Sequence, residues 1–394
     1  RARAVELHGA TADNGQHILI GAYRETLRLM ELVGADPARS LLRQPMHLEY
    51  PGELRIAAPA LPAPLHLAWA LLGARGLGWR DKFAAIRFMQ AMKAARFKLP
   101  RDMSVAALLD AQRQPQRLRD YLWDALCVAA LNTPAQTASA QIFLNVLRDS
   151  LAADREASDL LLPRVDLGKL FPDAAARYVA RRSRDNAAVR RETPIRLIEQ
   201  DPLSGRYTLH GSNAKHGPYT HVIAAVAPYH LGALLTGLPD LDSLHKALAG
   251  FAYQPIVTCY LAYPERVGLP QPMLGQAHGI MQWLFDRGQL GGPEGLLAAV
   301  ISARGRHLEL GHEELAARIH AEIARLVPDL PPPRWTQVIT EKRATWSCTP
   351  GLYRPPSATR LPGLLLAGDY VAGDYPGTIE GAVRSGVAAA ALVS

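Results

Sequence analysis

The stretch of this 394-residue chain richest in chemistry lies near its end, LLLAGDYVAGDYPGTIEGAVRSGVAAA (364–390). An apolar run reads as a short buried strand and passes straight into Gly368-Asp369. A loop with Gly373 and Gly377 follows, and a helix opens at Thr378 with the small residues Gly381, Ala382, Gly386 and Ala388. Such a strand–loop–helix suits a polyanionic, hydroxyl-rich ligand. The first amides of a helix lack intrahelical acceptors and stand at the positive end of its dipole. Glycines let a ligand approach the backbone, and an aspartate at a strand end accepts from ribose-type hydroxyls. An ordinary glycine-rich turn would explain the Gly-Asp pair alone, but not the whole stretch.

The elements that must position this segment follow from periodicity. Residues 22–33 have helical spacing, and Gly34 reads as their C-cap. Residues 45–101 are mixed, then helical and basic. There Trp79, Phe83, Ile86 and Met89 share one face, while Arg80, Lys82, Arg87, Lys93, Arg96 and Lys98 crowd the others. The pattern predicts a core helix with a solvated charged face. The alternative is a basic amphipathic helix lying on a membrane. Residues 104–160 read as helical. Strands are predicted around the turn at Thr193-Pro194, at 207–209, at 221–226 as a buried parallel strand, and at 255–263, 280–285 and 296–302. A helix is predicted over 312–326, one long strand or a strand pair over 335–346, a buried strand over 364–367 and an alanine-rich helix over 378–393. Alternating strands and helices indicate an α/β or α+β class with more than one sheet.

Composition bounds the partners. A hydrophobic share of 48% and a charged share of 20% describe an ordered globular chain. The formal net charge of +8 admits a diphosphate, a lipid surface or a nucleic acid. Its basic residues are scattered without interleaved aromatics, so no nucleic-acid partner is expected. Cys127, Cys259 and Cys348 lie far apart without a metal-ligand pattern, so no metal site is expected, and reduced thiols suit a cytoplasmic protein. The apolar stretch 61–79 is broken by His66, Arg75, Gly and Pro and does not read as a membrane span. The chain starts on Arg1 without a Met, so it reads as a piece of a longer one.

The C-terminal stretch resembles the FAD motif of the flavin amine-oxidase/phytoene-desaturase superfamily. That resemblance implies that Gly368 and Asp369 meet the ribityl-pyrophosphate of FAD, and that Gly377 belongs to the same loop. It also places the backbone N–H groups of Thr378 and Ile379 near the flavin N1/O2 edge, where a helix dipole would favour the reduced form. The run TPIRLI (193–198) is similar to the superfamily's adenine-contacting strand, with Ile195 at that contact, and 222–228 to the strand that follows it. Closer resemblance is to hydroxysqualene dehydroxylases, also called squalene-associated FAD-dependent desaturases. Their elements occur here in order: DNGQH (13–17), LCxAALNTP (126–134), LLPRVDLGxLFPD (161–173), PIVTxYL (255–261), QWxFDRG (282–288), VISAxG (300–305) and EKRATxxCTPG (341–351).

The resemblance implies an α/β, two-domain flavin amine-oxidase-like fold. Residues 1–25, 186–235 and 355–394 would form a discontinuous, Rossmann-like FAD-binding domain. Residues 26–185 and 236–354 would form a mixed helical and sheet substrate domain. The family opens with a GxGxxG unit that cradles the pyrophosphate. No GxGxxG occurs in this chain, and Arg1-Ala2 matches the end of the family's GGRA element. Arg1 is therefore expected at the cofactor, and that front unit, roughly 30 residues or more, is expected to be missing.

The implied reaction is reductive removal of the hydroxyl of hydroxysqualene, giving squalene for hopanoid synthesis. It needs hydride from reduced FAD, a proton for the leaving hydroxyl and an apolar tunnel shaped for a long isoprenoid. Candidate catalytic residues are Asp286, Arg287 and Trp283. Further candidates are the cluster Glu341-Lys342-Arg343, Asp166 beside Arg164, and His17. Trp283, Trp346 and Tyr375 could wall the flavin or stabilise an allylic cation. Salt bridges and core packing account more readily for these residues, and for His17 a turn cap stands level with a flavin contact. Two other readings are a carotenoid desaturase and a non-catalytic isoprenoid-binding subunit working with squalene-synthesis enzymes. A peripheral contact with the inner face of the cell membrane is expected from the lipid substrate.

Overall fold

A computed structural model describes residues 4–183 and 188–393. The chain divides into two compact units, 1–175 with 253–350, and 176–252 with 351–394.

The larger unit is organised by a five-stranded antiparallel sheet. Its order is Met273–Gly275, Trp283–Asp286, Leu296–Ser302, Tyr253–Ala262, Trp335–Trp346. The alternation read from the sequence is realised residue by residue. Val257, Cys259 and Leu261 enter one core cluster with Leu297, Ala299 and Ile301. Their neighbours Tyr260, Ala262, Leu296, Ala298 and Val300 enter another on the opposite face. Successive side chains of a strand point to opposite faces, so a sheet covered on both sides shows a continuous apolar run. Helix His312–Leu326 covers the first face with Leu315, Ile319 and Ile323, spaced one turn apart. Residues 335–346 form one long strand rather than a pair.

Around this sheet lie a hairpin, His47–Tyr50 with Leu54–Ala57, and a three-stranded sheet in which Leu160–Pro163 sits between Leu19–Ile20 and Leu41–Gln44. Helix Arg24–Val33 ends at Gly34, which has the left-handed φ of 78° expected of a C-cap. Two helices, Leu65–Leu72 and Trp79–Ala94, follow the hairpin. Here a core helix forms as expected, but on a different face. Helix Trp79–Ala94 turns Ala84, Ala85, Phe88 and Met92 inward and leaves Trp79 and Phe83 exposed. The inward stripe carries Lys82, Phe88 and Met92 beside the two alanines, so Trp79 and Phe83 fall on the outer face.

Residues 19–21, within the segment 1–25 expected in the cofactor domain, bond to the strand and turn at 156–161 of the larger unit. Leu19 and Ile20 pair with Leu161 and Leu160, and the Gly21 amide donates to Asp159 O at 2.9 Å. A Cβ on Gly21 would stand 1.7 Å from Glu156 O, so only glycine permits this approach.

The smaller unit contains a parallel pair, Val222–Ala224 beside Leu364–Leu366, as the apolar runs predict. It also contains a three-stranded antiparallel sheet in the order Lys215–Tyr219, Tyr207–Gly211, Ile195–Gln200. Helices Pro228–Leu234, Asp242–Ala249 and Ile379–Ala391, with the C-terminal part of helix Pro172–Arg182, complete it among the described residues.

Candidate functional site

The motifs that stand far apart in the sequence meet in two polar clusters of the larger unit. In the first, the Arg287 guanidinium donates to Gln16 Oε1 at 2.9 Å. Tyr260 donates its hydroxyl proton to Asp13 O at 2.8 Å, and the Leu167 amide donates to Asp13 Oδ1 at 3.0 Å. Burial raises the Asp13 pKa against the Leu167 amide and the Arg287 charge. Burial also lowers His17 to about 4, so it is neutral at pH 7. In the second cluster Asn132 holds the left-handed φ of 45°. Its Nδ2 donates to Pro255 O and to Thr345 Oγ1, and its Oδ1 accepts from the Ala303 amide at 2.7 Å. The Thr133 hydroxyl accepts from the Cys348 amide at 3.0 Å. Together the two clusters tie all seven motif elements into one scaffold.

Beside the sheet lies a recess of about 210 Å³ lined by Tyr50, Asp120, Asp124, Gln276, Gln282 and Trp283, among others. Tyr50 and Trp283 have ring centroids 5.9 Å apart, and Tyr121 meets Tyr50 edge-on at 5.3 Å. The wall depends on Gly275, because a Cβ there would stand 2.6 Å from the Tyr50 ring. One turn of π-helix, Arg119–Trp123, precedes Asp124, whose amide closes onto Arg119 O. Such bulges are frequent at functional sites. Asp124 Oδ1 is buried and has no hydrogen-bond partner among the described residues. Burial raises its pKa; Arg119 opposes that shift, and Asp120 and Asp110 add to it. A carboxyl held toward its neutral form beside aromatic faces can donate a proton. A wider groove of about 750 Å³, bordered by Leu27, Glu31, Leu41 and Arg43, contains no such group.

In the smaller unit, strand Leu364–Leu366 ends where the Ala367 amide bonds to Ala224 O. Gly368 has φ of 147°, and a Cβ on it would stand 2.5 Å from the Tyr370 ring. Its amide donates to Ser385 Oγ at 2.7 Å, which ties the strand end to the following helix. Asp369 is half-buried, and burial pushes its pKa up to about 6 despite the Arg354 charge. Thr378 caps helix Ile379–Ala391, its hydroxyl accepting from the Gly381 amide at 3.1 Å. Thr378 turns its own N–H onto Pro376 O at 2.8 Å, so the helix's donors begin with Ile379. Glu380 in the first turn is fully buried and pairs with Arg384 at 2.7 Å, which offsets its charge. Arg384 also stacks over Tyr375.

These features agree with the matches to known proteins. The family model described as flavin containing amine oxidoreductase matches residues 1–394. The chain belongs to that family. Hydroxysqualene dehydroxylase of Rhodopseudomonas palustris is 32% identical over 283 residues, 70% of this chain and 62% of that protein. The chain thus spans less than two thirds of that relative's length. The 15-cis-phytoene desaturase of Synechococcus elongatus is 21% identical over 400 residues, covering 95% of this chain and 84% of that one. An engineered triple mutant of putrescine oxidase has the same fold, with a TM-score of 0.72, 17% identity, and coverage of 100% of this chain and 90% of that one.

As a flavin containing amine oxidoreductase family member, the chain has a donor set suited to a flavin dinucleotide. Asp369 is a half-buried carboxyl whose present hydrogen bonds do not offset its burial, so it favours hydroxyl donors. It stands next to a strand end that excludes a side chain at Gly368. Gly377 and Ile195 are half-buried in the same unit. Arg1 lies outside the described residues. Of the catalytic candidates, Trp283 lines the recess. Asp286 is buried and accepts from the Leu269 amide at 2.9 Å and from Gln289 Nε2 at 2.9 Å. Lys342 and Arg343 are exposed, while Asp166 caps a short helix by accepting from the Lys169 amide. Sequence reasoning missed Asp124, since its neighbours in DALCVAAL (124–131) give only a helical pattern.

The raised pKa of Asp369 has a measurable consequence. Its folded pKa of about 6 lies above the unfolded value of 3.8, so the folded chain binds the extra proton. Ligand-free stability is therefore greatest below pH 4 as far as this group is concerned, and falls as pH rises from about 4 to about 6. The loss is about 3 kcal/mol at about 1.4 kcal/mol per pKa unit. Asp369→Asn is expected to remove that slope in denaturant titrations across this pH range, and to weaken flavin binding.

Proposed function

We infer that the protein is a FAD-dependent oxidoreductase that reductively dehydroxylates hydroxysqualene to squalene. The observation that carries this reading is the buried Asp124 Oδ1, without a hydrogen-bond partner among the described residues, in a recess walled by Tyr50 and Trp283. The reaction breaks a C–O bond at an allylic carbinol. The hydroxyl leaves as water after taking a proton, and a hydride closes the C–H bond. Asp124 supplies the proton. The faces of Tyr50 and Trp283 stabilise positive charge developing on the allyl group. Asp286 and Arg287 act as positioning residues: Asp286 anchors the turn after the Trp283 strand by accepting from Gln289, and Arg287 holds residues 13–17 through Gln16. The smaller unit holds FAD through Gly368, Asp369, Gly377 and the first-turn amides from Ile379, with Thr378 capping that helix and Ile195 on the adenine side. When bound and reduced, FAD supplies the hydride.

The match to hydroxysqualene dehydroxylase at 32% identity, against 21% for the phytoene desaturase, supports this reading over carotenoid desaturation. The isoprenoid substrate implies a cytoplasmic enzyme working at the inner face of the cell membrane, in exchange with squalene-synthesis enzymes. The test is anaerobic incubation with hydroxysqualene and reduced FAD. It is run on the chain itself and on a form extended by the family's GxGxxG unit. Squalene is the expected product of the extended form. Flavin-loaded protein that leaves hydroxysqualene intact but oxidises phytoene would overturn the reading.

A further inference from the structure

Helices Leu65–Leu72 and Trp79–Ala94 leave large apolar side chains in solvent. Leu65, Trp69 and Leu72, spaced i, i+4 and i+7, share one face of the first helix. Trp69, Trp79 and Phe83 are 63%, 63% and 62% exposed. The two helices abut: Lys82 reaches back so that its Nζ donates to Leu72 O at 2.6 Å and lies 5.1 Å from the Trp79 ring. Trp79 and Phe83 have centroids 6.1 Å apart, which continues the surface along the second helix. Single exposed apolar side chains are ordinary, but a contiguous run of this size marks an interaction site.

Charge identifies the partner. Arg80 and Arg87 flank Phe83 at −3 and +4 on the same exposed face, and Arg75 lies in the connection between the helices. Lys93, Arg96 and Lys98 follow, all exposed. Against them residues 61–100 contain a single acid, Asp81, whose carboxylate accepts from the Gly78 amide at 3.0 Å as a cap. Tryptophan, phenylalanine and leucine with a basic surround match the depth profile of a bilayer interface with anionic headgroups. No helix among the described residues is long and apolar enough to cross a membrane, so this match concerns attachment rather than spanning.

We propose that the surface formed by Leu65, Trp69, Leu72, Trp79 and Phe83, ringed by Arg75, Arg80 and Arg87, docks the protein onto an anionic phospholipid bilayer. The aromatic side chains enter the headgroup–acyl boundary while the arginines pair with lipid phosphates. This names the surface behind the membrane-face localisation proposed above. Its test needs neither flavin nor substrate, so its failure is distinct from failure of the dehydroxylase reading.

The experiment is sedimentation with vesicles of phosphatidylglycerol and phosphatidylcholine, and of phosphatidylcholine alone. The intact chain is compared with Trp69→Ser/Trp79→Ser/Phe83→Ser and with Arg75→Gln/Arg80→Gln/Arg87→Gln. All six side chains project from the surface, and circular dichroism checks that the variants fold. The intact chain should bind the anionic vesicles more tightly than the neutral ones, with tryptophan emission quenched by brominated acyl chains. Each triple variant should lose about tenfold or more in partitioning, since one buried aromatic alone contributes roughly that factor. Three results would overturn the proposal: no binding to anionic vesicles, binding by the aromatic variant equal to that of the intact chain, or a protein–protein complex that the aromatic variant dissolves while vesicle binding stays absent.

Discussion

Asp124→Asn is expected to lower the rate of hydroxysqualene reduction by about 10²–10⁴, the usual contribution of a positioned general acid. Asparagine keeps the size and polarity of the side chain and removes the transferable proton. Three features single out Asp124. It follows a π-helical turn that breaks the helical register, its Oδ1 is buried without a partner, and burial raises its pKa. The sign follows from the role: activity should fall as pH rises through that raised pKa, and the variant's residual rate should lack this limb. Asp120 lines the same recess but accepts from Gln116 Nε2 at 2.7 Å, so Asp120→Asn serves as the control, with a change of only a few-fold expected. Flavin content and melting temperature should match the parent in both. A rate within threefold of the parent for Asp124→Asn would remove Asp124 from the reaction.

The second large effect is expected at Gly368→Val. Its φ of 147° is a conformation that side-chain-bearing residues rarely adopt, and its Cβ would meet the Tyr370 ring at 2.5 Å. Backbone strain and overlap together should cost about 2–4 kcal/mol. The shift would pull the Gly368 amide from Ser385 Oγ and displace Asp369 next to it. Flavin absorbance per protein should fall at least tenfold, and the melting temperature should drop. Ser385→Ala removes only the tie to the helix and should retain most of the flavin. Full flavin occupancy in Gly368→Val would mean that the cofactor lies elsewhere.

Much of this was legible in the sequence because local rules were obeyed. Gly34 caps its helix with the left-handed geometry its position implies. The apolar runs at 222–224 and 364–366 form the buried parallel pair, and residues 255–262 alternate between two core clusters. What escaped depends on contacts between distant segments. The buried face of helix Trp79–Ala94 escapes the sequence because periodicity identifies a stripe but not which stripe a neighbour covers, and here the covered stripe is that of Ala84, Ala85, Phe88 and Met92. Asp124 gave no signal because its meaning comes from Tyr50 and Trp283, brought beside it by a hairpin and by a strand far along the chain. The motif residues Asn132, Gln16 and Arg287 could be named in advance. Their joining of distant segments could not, because hydrogen bonds between distant segments leave no periodic trace.

The most direct measurement is a single turnover under anaerobic conditions. Flavin-loaded protein, extended by the GxGxxG unit, is reduced in deuterium oxide, where the exchangeable N5 position of the reduced flavin carries deuterium, and is mixed with hydroxysqualene in the same solvent. Flavin absorbance and product are followed together. The account predicts reoxidation of one flavin per squalene formed, with one deuterium at the former carbinol carbon and the whole signal suppressed in Asp124→Asn. Flavin that stays reduced in the presence of hydroxysqualene, or squalene without deuterium, would contradict it.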